Sequence, residues 1–390
     1  MQRLTGIVLL LTGLFLAACS QTPAALPNAV AVAPTVPIAD TATAEPSPTP
    51  TTTATATQTP TATITSSPTL TPTPTATPEH PLMIEVMRRQ SYLGSEMTFI
   101  QQLDPGENYD RWIVSYESEG NTINGLLTRP FGAPPPTGFP LLLFNHGYIP
   151  PDEYSTTERY VEYLDYFARS GYMVFRSDYR GHGDSEGEPG GAYSEPGYTA
   201  DVLNALAAVK TLPSADPERI GMWGHSMGGY ITLRSMVVSD EIDAGVIWGG
   251  VVAEYPDLFA RSAAIATADA ATAIAGGPTG TPQPTRGPGR WRGSLISTYG
   301  SPEDNPAFWQ SISSNAYLAD ISGPLQLHHA RTDEVVPVTS SMQLQAQMEA
   351  AGMPSELYIY EDDSHDIDNN FFTAMRRSLE FLDAHVKYGD

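Results

Sequence analysis

Residues 219–236 read RIGMWGHSMGGYITLRSM. The apolar run Ile220–Trp223 has the composition of a buried strand, and Gly229–Val238 has the apolar spacing of a helix. Between them, Gly224-His225-Ser226-Met227-Gly228 places a serine in the turn that joins strand to helix. Flanking glycines relieve the crowding of a sharp turn, and a helix N-terminus favours nearby negative charge. The stretch therefore predicts a strand, a turn that presents the Ser226 hydroxyl, and a helix.

Alternating strand and helix patterns extend on both sides of this turn. Uninterrupted short apolar runs are typical of strands buried on both faces, and they occur at Leu141–Phe144, Met173–Arg176, Ile220–Trp223, Gly245–Trp248, Leu325–Leu327 and Leu357–Tyr360. Helical spacing occurs at Tyr154–Arg169, Thr199–Leu212, Gly229–Val238, Ser340–Ala351 and Phe371–Val386. Apolar–polar alternation around Gly120-Asn121 indicates a β-hairpin. These patterns predict an α/β fold, with a mostly parallel central sheet, helices on both faces and antiparallel strands at one edge.

One segment, residues 251–315, interrupts this alternation. It contains the alanine-rich helical pattern Phe259–Ala275 and then the turn-rich run GGPTGTPQPTRGPGRWRG at 276–293. A connection of this length is usually either functional or disordered. We interpret it as a lid-like insertion, with a disordered excursion as the alternative.

The first residues have the features of a secretory signal. Arg3 precedes the apolar run Leu4–Leu16, which is shorter than the roughly 17–25 residues of a membrane-spanning helix. The run ends in Leu16-Ala17-Ala18-Cys19, which resembles a bacterial lipobox, and Cys19 is the only cysteine. The resemblance implies that residues 1–18 are removed and that Cys19 is acylated, with membrane lipid as its partner. The expected location is extracytoplasmic, in a bacterial cell envelope; a chance cysteine beside a signal peptide is the alternative.

Residues 19–80 are rich in Thr, Pro, Ala and Ser and contain almost no large apolar side chains. Ordering such a segment would not recover its conformational entropy, so it is predicted to be a disordered linker. Residues 81–390 then form the folded domain. The net charge of −24 belongs mostly to that domain and makes nucleic acid an unfavourable partner.

A serine becomes a strong nucleophile only with a base and an acid that orients the base. Asp333 follows the predicted strand Leu325–Leu327, and His365 follows the strand that ends at Tyr360. A serine turn of the type Gly224-x-Ser226-x-Gly228 resembles one whose acid and histidine follow in that chain order, each on a loop after a strand, so Ser226, Asp333 and His365 are predicted to form the triad. Three further carboxylates remain as competitors for the acid, namely Glu334, Asp362 and Asp363.

An oxyanion formed at Ser226 requires N–H donors. One is predicted from Met227, the residue after the serine, and the other from Tyr148, which follows His146-Gly147 at the end of a predicted strand. The Tyr148 ring alternatively lines the pocket. His146 is expected to be structural.

A metal site is the competing interpretation of the run DYRGHGDSEG at 178–187, in which Asp178, His182 and Asp184 lie close in sequence. Neither an HExxH pattern nor paired cysteines support it. We therefore expect neither a metal nor a cofactor.

The pattern Gly224-x-Ser226-x-Gly228 and the chain order Ser, Asp, His resemble the α/β-hydrolase superfamily. The stretches FNHGYIPP, GYMVFRSDYRGHGDSEG, DPERIGMWGHSMGGY, DEVVP and DSHDI are most similar to the prolyl oligopeptidase (S9) catalytic domain and to dienelactone-hydrolase-like esterases. The chain departs from the S9 pattern His-Gly-x-x-Asp at Ala330, which follows His329. Residues 79–140 are also too short for the propeller that S9 peptidases usually carry before the catalytic domain.

The resemblance implies a serine hydrolase that cleaves ester or amide bonds through an acyl-enzyme. Small esters and short peptides are its expected substrates, and the sequence leaves carboxylesterase and S9-type peptidase open. A surface binding protein that keeps the fold without turnover is a further alternative. The sequence does not indicate an oligomeric state.

Overall fold

A computed structural model describes residues 79–190, 192–258 and 290–389. Over these residues the chain forms a nine-stranded sheet with the order β1-β2-β3-β5-β4-β6-β7-β8-β9. The predicted signal, the lipobox and nearly all of the linker lie outside the described residues, as does the predicted helix Phe259–Ala275. The domain boundaries therefore stay predictions.

The strands pair antiparallel from β1 to β3 and at the β3–β5 contact, and parallel from β5 through β4 to β9. Their bounds are β1 Thr98–Leu103, β2 Tyr109–Ser118, β3 Asn121–Pro130, β4 Phe139–Asn145, β5 Met173–Ser177, β6 Ala215–His225, β7 Ala244–Trp248, β8 Leu325–Ala330 and β9 Ser355–Tyr360. Each of the six predicted strands is confirmed. The predicted hairpin is β2–β3, which turns at Glu119-Gly120 with positive φ at both residues.

The helices connect these strands. Their bounds are α1 Ile84–Arg88, α2 Val161–Arg169, α3 Gly197–Val209, α4 Met227–Val238, α5 Arg290–Tyr299, α6 Pro306–Ile312, α7 Thr339–Ala350 and α8 Phe371–Leu382. A 3₁₀ segment, Ser314–Asp320, precedes β8, and a π-helical turn, Asp383–Lys387, follows α8. Among the described residues, none of the helices combines the length and hydropathy needed to span a bilayer.

Side chains of β4 show why the central strands have uninterrupted apolar sequences. Leu141 and Leu143 are buried in one hydrophobic cluster, and Leu142 and Phe144 are buried in another. Because successive side chains of a strand point to opposite faces, a strand covered on both faces must be apolar at every position. The sheet is thereby fixed in the middle of the core, and the carboxyl ends of its parallel strands form one edge.

The predicted helix Tyr154–Arg169 is wrong in its first half, because α2 begins only at Val161. Arg159 and Tyr160 both have left-handed backbone, with φ of 55° and 53°, and that conformation stops a right-handed helix from extending towards the N-terminus. The residues before α2 thus form a non-helical loop, and its Tyr160 ring packs against Phe144 of β4.

Candidate active site

Ser226 lies in a sharp turn between β6, which ends at His225, and α4, which begins at Met227. Its backbone has φ of 54° and ψ of −117°, a strained conformation that non-glycine residues seldom adopt. The Ser226 N–H donates to the Trp248 carbonyl at 3.0 Å, and its own carbonyl accepts from Val251 at 3.0 Å. These bonds fix the turn, and the strained residue carries the hydroxyl.

Gly228 permits the close approach that this turn requires. A Cβ atom at position 228 would lie 1.9 Å from the Asn145 carbonyl oxygen at the end of β4. A side chain is therefore excluded there, and α4 starts directly against the loop that follows β4. The other glycine of the pattern, Gly224, is similarly enclosed, since its Cβ would lie 2.3 Å from the Gly228 carbonyl oxygen.

Asp333 and His365, from loops after β8 and β9, meet at this edge of the sheet. His365 Nδ1 lies 2.7 Å from Asp333 Oδ2, and the Asp333 side chain is fully buried. The N–H groups of Val335 and Val336 donate to Asp333 Oδ1 at 2.8 and 2.7 Å. The carboxylate is therefore held by its own loop and directed at the imidazole.

Burial by itself would raise the pKa of Asp333. Hydrogen bonds from His329, His365 and the Val336 N–H, together with the charge of His365, outweigh that effect and hold the pKa well below its ordinary value. Asp333 thus stays ionised at neutral pH, as an acid that orients and stabilises a protonated histidine must.

His365 presents its other nitrogen unpaired. Among the described residues, Nε2 is buried and has no hydrogen-bond partner. The His365 ring packs against the ring of His225, with centroids 4.6 Å apart, and His225 directly precedes Ser226. An imidazole with Nδ1 bonded to a carboxylate and Nε2 unpaired is arranged as a general base for a nearby hydroxyl.

The two predicted oxyanion donors are Met227, directly after Ser226, and Tyr148, in the loop after β4. Met227 occupies the first position of α4, where an N–H has no partner within the helix. The N–H of Tyr148 donates no hydrogen bond within the described chain. Its neighbour Gly147 is close to the serine, since a Cβ atom on Gly147 would lie 3.2 Å from Ser226 Cβ. The Tyr148 side chain is 68% exposed.

Among the described residues, His365 is hydrogen-bonded to Asp333 and to none of the three competing carboxylates. Glu334 and Asp362 are exposed. Asp363 is buried, but it accepts the N–H groups of Ser364, Asn369 and Asn370, each at 3.0 Å. Asp363 therefore shapes the loop that carries His365.

The run at 178–187 forms hydrogen bonds within the protein. Asp178 accepts the hydroxyls of Tyr154 at 2.7 Å and Thr156 at 2.5 Å, and His182 Nδ1 lies 3.2 Å from the Arg180 carbonyl oxygen. In the part of the chain that the structure describes, no three His, Cys, Asp or Glu side chains are grouped to hold a metal ion.

Sequence reasoning missed three residues of this region. His329 Nε2 lies 3.2 Å from Asp333 Oδ2, and its position at the end of β8 in the S9 pattern was the available signal. His225 and Tyr160 contact each other and the loops of the site. Tyr160 was missed because it falls inside the predicted helix Tyr154–Arg169, and a position within that helix gave no reason to place its side chain at the site.

A cavity of about 190 Å³ lies between the start of the insertion and the loop after Asp333. Its apolar lining comes from Val251, Leu258, Val336 and Pro337. Val251 donates its N–H to Ser226, and Val336 donates to Asp333. Two lining residues thus hold the Ser226 backbone carbonyl and the Asp333 carboxylate in place.

Fold and site together define the chain as an α/β-hydrolase of the serine hydrolase class. Two family models match it: serine aminopeptidase, S33, over residues 140–276, and the prolyl oligopeptidase family over residues 291–389. The α/β-hydrolase fold is thus shown, and the predicted resemblance to the prolyl oligopeptidase family is confirmed over residues 291–389.

Curated relatives and solved structures are similar to large parts of this chain, and the solved structures share its fold. A probable dipeptidyl-aminopeptidase B from Metarhizium robertsii is 25% identical over 280 residues, which cover 68% of this chain and 26% of that protein. The acylaminoacyl peptidase of Pyrococcus horikoshii has a TM-score of 0.54 at 20% identity, covering 73% of this chain and 43% of the peptidase. An acetyl xylan esterase from Paenibacillus sp. R4 has a TM-score of 0.56 at 18% identity, covering 78% of this chain and 92% of the esterase. The chain spans about half or less of the length of the curated relatives that it matches.

Proposed function

We propose that the protein hydrolyses small carboxylic esters or short peptide amides through an acyl-enzyme on Ser226. One observation carries the proposal: His365 is bonded through Nδ1 to the ionised, buried Asp333, while its Nε2 is unpaired beside the strained serine turn. That arrangement has a use in nucleophilic catalysis and no evident use in a purely structural role.

The reaction proceeds in two halves. Ser226 Oγ attacks the substrate carbonyl carbon while its proton passes to His365 Nε2, and the Asp333 carboxylate stabilises the imidazolium. The N–H groups of Met227 and Tyr148 donate to the oxyanion, and His365 then returns the proton to the departing alcohol or amine. Water attacks the acyl-enzyme by the same route in reverse, which releases the acid and restores the serine.

Small substrates are favoured by two features. Residues 79–138, the described part of the chain before β4, contain α1 and three strands that continue the hydrolase sheet, so they extend the catalytic domain. The cavity lined by Val251 and Val336 is about 190 Å³, which is below the roughly 300–1,000 Å³ of a typical ligand pocket. It suits a short acyl or side-chain group.

A substrate comparison with the full chain tests which bond is cleaved. We expect p-nitrophenyl esters of short acyl chains to be hydrolysed faster than aminoacyl-p-nitroanilides, because an ester carbonyl requires less activation and the cavity holds only a short group. Values of kcat/KM for both series decide the question. Preference for the anilides would assign a short-peptide peptidase, and turnover of neither series would contradict hydrolysis.

We propose in addition that the enzyme is a lipid-anchored, extracytoplasmic protein of a bacterial envelope. The sequence Leu16-Ala17-Ala18-Cys19 and the Thr/Pro-rich residues 19–80 support this, since an acylated cysteine followed by an extended linker would hold the domain away from the membrane.

The anchor is tested by detergent phase partitioning of the full chain expressed in a bacterium. Wild type is expected in the detergent phase and Cys19→Ser in the aqueous phase, because each buried methylene contributes about 0.8 kcal/mol to membrane binding. Ser20→Ala serves as the matched control and should partition as wild type does. Detergent partitioning of Cys19→Ser would contradict acylation at this residue.

A further inference from the structure

Tyr160 places its hydroxyl between two loops of the site. The hydroxyl oxygen lies 3.0 Å from the Gly147 nitrogen and 2.8 Å from His225 Nδ1. Gly147 precedes the predicted oxyanion donor Tyr148, and His225 precedes Ser226. His225 Nε2 in turn lies 3.2 Å from the His365 carbonyl oxygen. The Tyr160 hydroxyl and the His225 ring therefore connect three loops. These are the loop with Gly147 and Tyr148, the turn with Ser226, and the loop with His365.

The direction of each hydrogen bond follows from its partners. The His365 carbonyl only accepts, so His225 Nε2 carries the hydrogen. Burial lowers the pKa of His225 to about 3, so the ring is neutral at pH 7 and Nδ1 is an acceptor. Tyr160 must then donate its hydroxyl hydrogen to Nδ1 and accept from the Gly147 N–H. Asp366 Oδ1, at 3.5 Å from Nε2, is the charged group next to this ring.

The loop that carries Tyr160 is hydrogen-bonded to side chains in β5 and directly after it. The buried Arg176 guanidinium donates to the carbonyls of Thr156, Glu158 and Arg159. Asp178 accepts the Tyr154 and Thr156 hydroxyls. These bonds fix the left-handed backbone at Arg159 and Tyr160, which would otherwise relax. The tyrosine hydroxyl is thus placed by a rigid support.

We propose that Tyr160 and His225 are positioning residues for hydrolysis, whose hydrogen-bond chain sets the Gly147–Tyr148 peptide and the His365 loop relative to Ser226. This rests on the proposed function, since it specifies which residues align the oxyanion donor and base. Neither residue touches the substrate or exchanges a proton with it.

Tyr160→Phe removes the hydroxyl and keeps the ring, which packs edge-on against Phe144 at 5.6 Å. The Gly147 N–H and His225 Nδ1 then lose their shared partner. We expect kcat for the preferred p-nitrophenyl ester to fall about 10- to 100-fold with KM nearly unchanged, because misaligned catalytic groups weaken transition-state binding more than substrate binding. Tyr166→Phe, within α2, is the matched control and should retain wild-type kcat.

His225→Asn tests whether the two residues act as one unit. Its shorter amide still reaches Tyr160 but not the His365 carbonyl, so kcat should fall. The double variant Tyr160→Phe/His225→Asn should lose little more than the worse single variant, because both changes break the same chain. Additive losses, or a wild-type kcat in Tyr160→Phe, would overturn the proposal.

A readout without turnover separates this proposal from the proposed function. In ¹⁵N-histidine NMR of the wild-type chain, His225 should be a neutral ring protonated at Nε2 and should not titrate between pH 5 and 8. A ring protonated at Nδ1 would overturn the chain of bonds even in an active enzyme. Wild-type protein that neither hydrolyses any substrate nor reacts with a fluorophosphonate would instead refute the proposed function.

Discussion

Ser226→Ala should abolish both ester hydrolysis and reaction with a fluorophosphonate probe. The strained turn carries the Ser226 hydroxyl, the ring of the preceding His225 packs against His365, and alanine removes the atom that would attack. In a serine hydrolase such a change lowers kcat on the order of a millionfold, to the residual rate supplied by binding and the oxyanion donors. Measuring initial rates and the probe adduct by intact mass tests both effects.

Ser235→Ala is the matched control for this experiment. It removes the Ser235 hydroxyl from the helix that follows Ser226. In the described structure that hydroxyl is buried without a hydrogen-bond partner, so the variant should react with the probe as wild type does. Stoichiometric reaction of Ser226→Ala at another residue would move the nucleophile elsewhere and contradict the assignment.

The central strands were predictable from the sequence because a strand that is buried on both faces has a continuous run of apolar residues. Each strand from β4 to β9 contains an apolar run, and Gly224 and Gly228 mark the turn between β6 and α4. The order of Ser226, Asp333 and His365 along the chain was also sufficient to place them at one edge, since each follows a parallel strand.

Long-range and backbone effects were not predictable in this way. The left-handed conformation of Tyr160 depends on Arg176 in β5 and on Asp178 directly after β5. The local apolar spacing therefore indicated a helical first half that does not form. β1 was missed because its side chains are almost all exposed, and an edge strand of that kind has no buried face to show alternation. Sequence reasoning also missed His329 as a partner of Asp333. His329 lies only four positions before Asp333, but the two side chains meet through the turn after β8.

Asp333→Asn should lower kcat about 10⁴-fold while leaving KM nearly unchanged. The N–H groups of Val335 and Val336 hold the oxygen at the Oδ1 position, so the asparagine NH₂ must take the Oδ2 position and face His365. It then donates to Nδ1 and forces the hydrogen of His365 onto Nε2, where the ring can no longer accept the serine proton. Glu334→Gln neutralises the adjacent exposed carboxylate and is the matched control, with kcat expected at the wild-type level.

The same substitution should change stability in a pH-dependent way. Because the folded-state pKa of Asp333 lies below its ordinary value of 3.8, the ionised carboxylate stabilises the fold above that pH, and the contribution is lost as the pH falls through the folded-state value. Asp333→Asn should therefore unfold at a lower denaturant concentration than wild type at pH 7, and the difference should narrow below about pH 4. A constant difference across this range would show that the carboxylate charge does not stabilise the fold, and full activity in Asp333→Asn would remove Asp333 from the catalytic residues.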